Sequence, residues 1–133
     1  MNHELNSVLV DRAVEARQHA YATYSQYPVG AAVLADTGEI FVGCNVENAS
    51  FGLTICAERA AVFQAVVAGH RKFQAIAVVT PGGKAPCGAC LQVLAEFAQD
   101  MPITLVDADH QDRIVQVQLA ELLPGRFELP PEG

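Results

Sequence analysis

Gln74-Ala75-Ile76-Ala77-Val78-Val79-Thr80 leads through the turn-rich Pro81-Gly82-Gly83-Lys84-Ala85-Pro86 into a helical pattern over residues 88–99, and then into Ile103-Thr104-Leu105-Val106. Two strands joined through a helix are expected to be parallel neighbours in one sheet, because a crossover of that length returns the chain in its original direction. Working outward, residues 29–35 and 39–46 read as strands around Asp36-Thr37-Gly38, a hairpin loop. Residues 113–118 read as a fifth strand. The connection over 107–112 is too short for a crossover, so the fifth strand should run antiparallel to the fourth. Residues 119–123 suggest a short helical turn before Pro124-Gly125. Upstream, Leu5, Val8, Leu9, Ala13, Val14, Ala16 and Ala20 recur at helical spacing with Arg12, Glu15 and Gln18 opposite, predicting a first helix over 4–22. Residues 56–68 predict a second helix, with Gly69 placed to cap its end. This order predicts an α/β fold, a three-layer α/β/α sandwich with a five-stranded mixed sheet whose last strand is antiparallel.

The second helix carries only Glu58, Arg59 and Gln64 as polar residues between Ala57 and Ala68. A helix apolar nearly all round is covered on every side. One face would cover the sheet and the other a second subunit, so an oligomer is expected. The alternative is a helix wrapped wholly by its own chain.

The chain has 133 residues, without repeat, low-complexity tract or linker. Residues 1–133 are therefore expected to form a single domain, with Pro130-Pro131-Glu132-Gly133 as a frayed tail. Hydrophobic residues make up 51% and charged residues 17%, which argues against disorder. With 8 Lys and Arg against 15 Asp and Glu, the formal net charge of −7 would repel a phosphate backbone, so nucleic acid is not an expected partner. No segment approaches the roughly 20 apolar residues that cross a bilayer, so no membrane partner is expected. Met1-Asn2-His3-Glu4 opens no signal peptide. A cytoplasmic, reducing location is expected, where clustered cysteines bind metal or do chemistry more often than they form disulfides.

Cys56-Ala57-Glu58-Arg59 and Pro86-Cys87-Gly88-Ala89-Cys90 each open a predicted helix. Helix starts present unpaired N–H groups and a positive dipole end, which favour thiolates. The spacing of Cys87 and Cys90 lets both sulfurs meet one ion, and three thiolates with a fourth position open describe a catalytic rather than a closed zinc site. Zinc lowers the pKa of its water toward about 7. Glu58, two residues after Cys56, can reach the same pocket and move protons without binding the metal. Other readings remain for these residues. Pro-Cys-Gly-Ala-Cys alone would fit a dithiol redox pair, and a structural zinc module could recruit a histidine. His3, His19, His70 and His110 lack motif spacing to the cysteines and read as solvated surface residues, and Cys44 as a buried small hydrophobe.

Over nearly its whole length the chain resembles the small, homotetrameric class of cytidine deaminases. The matching stretches are residues 24–32, Gly43-Cys44-Asn45-Val46-Glu47-Asn48-Ala49-Ser50, Cys56-Ala57-Glu58-Arg59, Pro86-Cys87-Gly88-Ala89-Cys90 and Leu122-Leu123-Pro124-Gly125. The resemblance implies one zinc ion per subunit held by Cys56, Cys87 and Cys90, with Glu58 as proton shuttle. It implies that Asn45 and Glu47 bind the ribose 3′-hydroxyl, a role that suits an amide and a carboxylate. Glu47 would repel a 5′-phosphate, which favours a nucleoside substrate. A loop held by its own side-chain bonds is the structural alternative for this pair. Tyr27 is implied to pack near the pyrimidine, Phe127 to reach the base from a neighbouring subunit, and Phe51 to lie near a neighbour's site. The backbone around Ala57 and Cys87 is expected to accept the 4-amino group, with a geometry that sequence does not fix. Arg59 is implied to bond the zinc thiolates and offset their charge, the alternative being a surface ion pair. The activity implied is deamination of cytidine and 2′-deoxycytidine in pyrimidine salvage, by a homotetramer whose sites are shared between subunits. Deamination of blasticidin S or an N4-substituted cytidine is the enzymatic alternative. The sequence departs from the family at Leu91, where many relatives carry Arg, and at Thr23, where Pro is common; the first bears on substrate preference.

Overall fold

The computed structural model describes residues 3–131; Met1-Asn2, part of the signal-peptide reading, and Glu132-Gly133, part of the frayed-tail reading, lie outside them. In chain order the elements are α1 (His3–Arg17), β1 (Gly30–Ala35), β2 (Ile40–Cys44), α2 (Ala57–Val67), β3 (Phe73–Thr80), α3 (Gly88–Phe97), β4 (Pro102–Asp107), β5 (His110–Gln118) and α4 (Leu119–Leu122). A single 3₁₀ turn at Phe51–Leu53 precedes α2. The strands form one sheet in the order β2-β1-β3-β4-β5. β3 and β4 are parallel, and every other pair is antiparallel. This is the expected five-stranded mixed sheet.

Alternation along β3 shows why the sheet is covered twice. Ile76 and Val78 pack with Ala61, Val62, Ala65, Leu91 and Leu94 of α2 and α3. Ala75, Ala77 and Val79 pack with Leu9, Val10 and Ala13 of α1. Side chains of a strand point alternately to its two faces, so an unbroken apolar run must be buried on both. Two glycines allow the helices to come close. A Cβ on Gly30 would lie 2.2 Å from the Ala13 carbonyl oxygen of α1, and one on Gly43 would lie 2.4 Å from the Ala61 nitrogen of α2.

The predicted boundaries shift where long-range contacts decide them. α1 ends at Arg17, not at 22, because the chain is drawn away to bond across the fold. Tyr21 N–H donates to the Asn45 carbonyl at 2.9 Å and Glu47 N–H to the Tyr21 carbonyl at 2.9 Å. β5 starts at His110 rather than 113, since a register shift at Asp107 leaves a tight Ala108-Asp109 turn. Gly69 follows α2 with φ 100°, as its capping role requires. The outer side of α2 leaves Phe63 and Val67 exposed, so α2 is not wrapped by its own chain. His70 is not a solvated residue as expected: its side chain is 11% exposed, 3.4 Å from Glu39, with its ring 5.0 Å from that of Phe41.

α3 lacks a capping residue of its own at its C-terminal end. Arg126, from the segment after α4, supplies one: Nη1 donates to the Ala95 and Ala98 carbonyls at 2.8 and 2.9 Å, and Nη2 to that of Gln99. Carbonyls left over at a helix end are thereby satisfied by a cation, which the helix dipole also favours.

Candidate metal centre and substrate cavity

Cys56 and Cys87 are the N-cap residues of α2 and α3, both in extended conformation, and Cys90 lies in the first turn of α3. The three sulfurs lie within 4.8 Å of one another. The Cys56–Cys87 separation is 4.0 Å and the Cys87–Cys90 separation 3.6 Å. Two zinc–sulfur bonds of roughly 2.3 Å meeting at a tetrahedral angle place sulfurs about 3.8 Å apart, so the trio has the span of one zinc ion. A disulfide would need about 2.05 Å, and all four cysteines are free. Among the described residues no histidine joins the cluster, which removes the three-cysteine, one-histidine option.

The electrostatics favour thiolate at this place. Cys56 is pulled down to about 5, first by a hydrogen bond from the Cys90 thiol and then by Arg59. Cys90, which keeps the shared proton, is raised by the same bond and by burial. Arg59 Nη2 donates to Cys56 Sγ at 3.3 Å, while its Nε is buried without an acceptor. Arg59 is thus not in a surface ion pair. Leu91, next along from Cys90, is 7% exposed and packed into the core below, so it contributes no charge to the sulfurs.

Beside the sulfurs lies a cavity of about 340 Å³. Glu58 lines it and is 5% exposed; burial, and next the Cys56 charge once its opposing backbone hydrogen bond is allowed for, push its carboxyl up to about 7. Tyr27, Asn45, Glu47 and Ala57 line the same cavity as Cys56 and Cys87, while Cys90 is fully buried. Asn45 also bridges the chain locally. Its Oδ1 accepts Val29 N–H and its Nδ2 donates to the Tyr27 carbonyl, each at 2.9 Å. Glu47 accepts the Tyr24 and Ser25 N–H groups at 2.9 and 3.0 Å and the Ser25 hydroxyl; these bonds, the hydroxyl's foremost, hold it below the usual carboxylate range. Both residues therefore shape the Tyr24–Val29 loop as well as face the cavity.

Two expected residues lie elsewhere in the single chain. Phe51 is 75% exposed, edge-on to Tyr24 at 5.9 Å, beside an adjoining cavity that Ser25 and Glu47 also line. Phe127 is 68% exposed on the outer side of α3, its carbonyl held by Gln92 Nε2 at 3.1 Å, and it does not line the cavity beside this chain's own sulfurs. Ser25, Thr54, Thr80 and Lys84 also line the cavity and were not picked out from sequence. For Thr80 a signal existed: a polar residue ends an apolar strand at its carboxyl end, where α/β sheets place their sites. Cys44 lies outside the sulfur cluster as expected, but it is half-buried rather than buried, because β2 is an edge strand; its thiol is raised by burial.

The family model for the cytidine and deoxycytidylate deaminase zinc-binding region matches residues 3–105. A cytidine deaminase of Sporosarcina psychrophila is 48% identical over 122 residues, covering 90% of this chain and 88% of that protein. One from Halalkalibacterium halodurans is 46% identical over 123 residues, covering 90% and 92%. The crystal structure of cytidine deaminase from Burkholderia pseudomallei superposes with a TM-score of 0.86 at 45% identity, covering 96% of this chain and all of that one.

Proposed function

The chain belongs to the cytidine and deoxycytidylate deaminase family, and on that premise we infer that it is a zinc-dependent enzyme that hydrolyses cytidine and 2′-deoxycytidine to uridine and 2′-deoxyuridine with release of ammonia. One observation carries the reading: Cys56 and Cys87, two of a trio of sulfurs with zinc's spacing, line the same cavity as a buried carboxyl, an amide and a second carboxylate.

Cys56, Cys87 and Cys90 would hold the ion, and Arg59 would offset part of the thiolate charge and so keep the metal electrophilic. Bound there, zinc would lower the pKa of a water and so provide the nucleophile for C4 of the base. Glu58 takes the proton of that attacking water and delivers it to N3. It then takes the proton of the hydroxyl newly bound to C4 and gives it to the departing amine as the C4–N bond breaks and the C4 carbonyl forms, so a single carboxyl acts as base and acid in turn. A carboxyl held near 7 by burial suits both tasks at neutral pH. Asn45 and Glu47 hold the sugar hydroxyls, Tyr27 flanks the pyrimidine, and the backbone around Ala57 and Cys87 accepts the amino group.

The finer reading is a homotetramer in which Phe127 and Phe51 complete a neighbour's site, acting in pyrimidine salvage in the cytoplasm. The exposed Phe63 and Val67 of α2, and the absence of Phe127 from the lining of its own chain's cavity, support the shared arrangement. A reducing compartment suits a three-thiolate site. Among the described residues no helix is long and apolar enough to cross a membrane.

The test is the fall in ultraviolet absorbance when zinc-loaded protein meets each of cytidine, 2′-deoxycytidine, cytosine, 2′-deoxycytidine monophosphate and blasticidin S. Turnover of the two nucleosides ahead of the others is expected. Preference for blasticidin S would move the chain to the alternative substrate class, and silence toward all five with zinc bound would make it a structural zinc module.

A further inference from the structure

The loop Pro81–Pro86 joins the end of β3 to Cys87 and supplies Lys84 and Ala85 to one wall of the cavity. It has no regular structure, and Gly82 and Gly83 take positive φ of 83° and 66° in succession. Left alone, such a turn would be soft, because glycine has the most conformations to lose. Two side chains hold it. Thr80, 4% exposed, accepts Lys84 N–H on its hydroxyl oxygen at 2.6 Å, and its carbonyl accepts Gly83 N–H at 3.1 Å and Ala108 N–H at 2.9 Å. Asp107, 9% exposed, accepts Gly82 N–H at 3.1 Å and Asp109 N–H at 3.0 Å on one carboxylate oxygen. Thr80 and Asp107 are paired across the parallel ladder, each the last residue of its strand. From the opposite side the Tyr27 hydroxyl donates to the Pro81 carbonyl at 3.3 Å.

We propose that Thr80 and Asp107 are positioning residues of the active site, a clamp on the carboxyl ends of β3 and β4 that sets where Cys87 and the Lys84-Ala85 wall stand. The division of labour follows from packing. Cys90 is buried within α3 and Cys56 belongs to another helix, so neither depends on this loop. Cys87 is exposed and caps the helix that the loop leads into. A loosened clamp therefore displaces one sulfur of the trio and one side of the substrate cavity together, while Glu58 keeps its place on α2.

The test compares Thr80→Val, which keeps the shape and loses the acceptor, with Thr80→Ser, which keeps the acceptor. Asp107→Ala is set against Asp107→Asn, whose side-chain oxygen can still accept both N–H groups. Each variant is loaded with zinc and followed for melting temperature, cytidine kinetics and zinc release to a chromogenic chelator. Thr80→Val and Asp107→Ala are expected to release zinc about tenfold faster, the lower end of what partners that orient metal ligands are worth. They are also expected to raise KM for cytidine roughly fivefold, about one hydrogen bond, with kcat changed far less. Thr80→Ser and Asp107→Asn should restore both. The clamp is refuted if the loss-of-acceptor variants melt lower yet keep wild-type KM and zinc retention, or if the conservative variants fail to rescue. Should one variant not fold, the other decides, since the two residues hold the loop through separate bonds. The inference rests on the cavity being the nucleoside site. Wild-type protein that holds zinc and turns over no cytidine overturns that reading, and zinc release still decides the clamp.

Discussion

α1 and α2 approach the sheet from opposite sides by the same device, a glycine that lets helix backbone touch strand backbone: Gly30 beneath Ala13 and Arg17, Gly43 beneath Ala57 and Ala61. Both contacts fall near the carboxyl ends of the parallel strands, where Gly30 pairs with Val79 and Cys44. What differs is helix direction. α1 arrives there with its last turn, the end rich in carbonyls, and Arg17 Nε turns aside to donate to the Pro28 carbonyl at 2.9 Å. α2 and α3 arrive with their first turns, Cys56 and Cys87 standing at the two caps. Free N–H groups and a positive dipole end stabilise thiolate, and carbonyl ends do not. Equal packing on two faces thus yields one structural face and one chemical face, and polarity of the helices decides which is which.

The largest separation of the two faces comes from Glu58→Gln on α2. Turnover is expected to drop roughly 10²–10⁴-fold, the share of a positioned acid–base group, with zinc content kept and no loss of stability. Steady-state rates beside a zinc assay check it, and near-normal turnover would take Glu58 out of the chemistry. On the α1 face Leu9→Ala should do the reverse, costing roughly 2–5 kcal/mol in denaturant unfolding while the folded fraction keeps its kcat.

A pH series on metal-free protein probes the chemical face alone. Burial raises the Glu58 carboxyl from 4.5 to about 7, so the folded chain holds this proton to higher pH than the unfolded chain does. Its contribution is present at low pH and lost as pH climbs from about 4.5 to about 7, a change of about 3 kcal/mol. The unfolding free energy of wild type relative to Glu58→Gln should decline by up to that amount across the window, and parallel curves would show that the carboxyl is not desolvated. The smallest and sharpest contrast sets Gly43→Ala against Gly30→Ala. Each should cost about 1–3 kcal/mol through overpacking, but Gly43→Ala alone should weaken zinc retention in a chelator challenge. Equal zinc loss in both would erase the distinction between the faces.

Much of this was legible in the residues, for physical reasons that can be named. The run from Gln74 to Val106 declares two strands and a crossover because connection length alone limits direction. Cys56, Cys87 and Cys90 declare themselves because few side chains do what thiolates do at a helix start. Signals failed where distant partners decide. Nothing near Ala20 announces that Tyr21 will bond to Asn45, so helical spacing alone carries the first helix past its end at Arg17. Asn45 and Glu47 could be named as hydrogen-bonding residues, but that they also tie the Tyr24–Val29 loop depends on pairings across the fold. Thr80 and Asp107 act through a loop whose shape exists only once β3 and β4 lie side by side.

Arg126 gives one more consequence. It fastens the run after α4 to the last turn of α3, the same rod whose opposite tip bears Cys87 and Cys90. Cutting the chain ahead of Arg126 would strip the lid from those carbonyls and let that rod unwind from its far tip. A fusion partner appended behind residue 131 would spare the arginine, so a tag or immobilisation handle belongs there and a trimmed terminus does not.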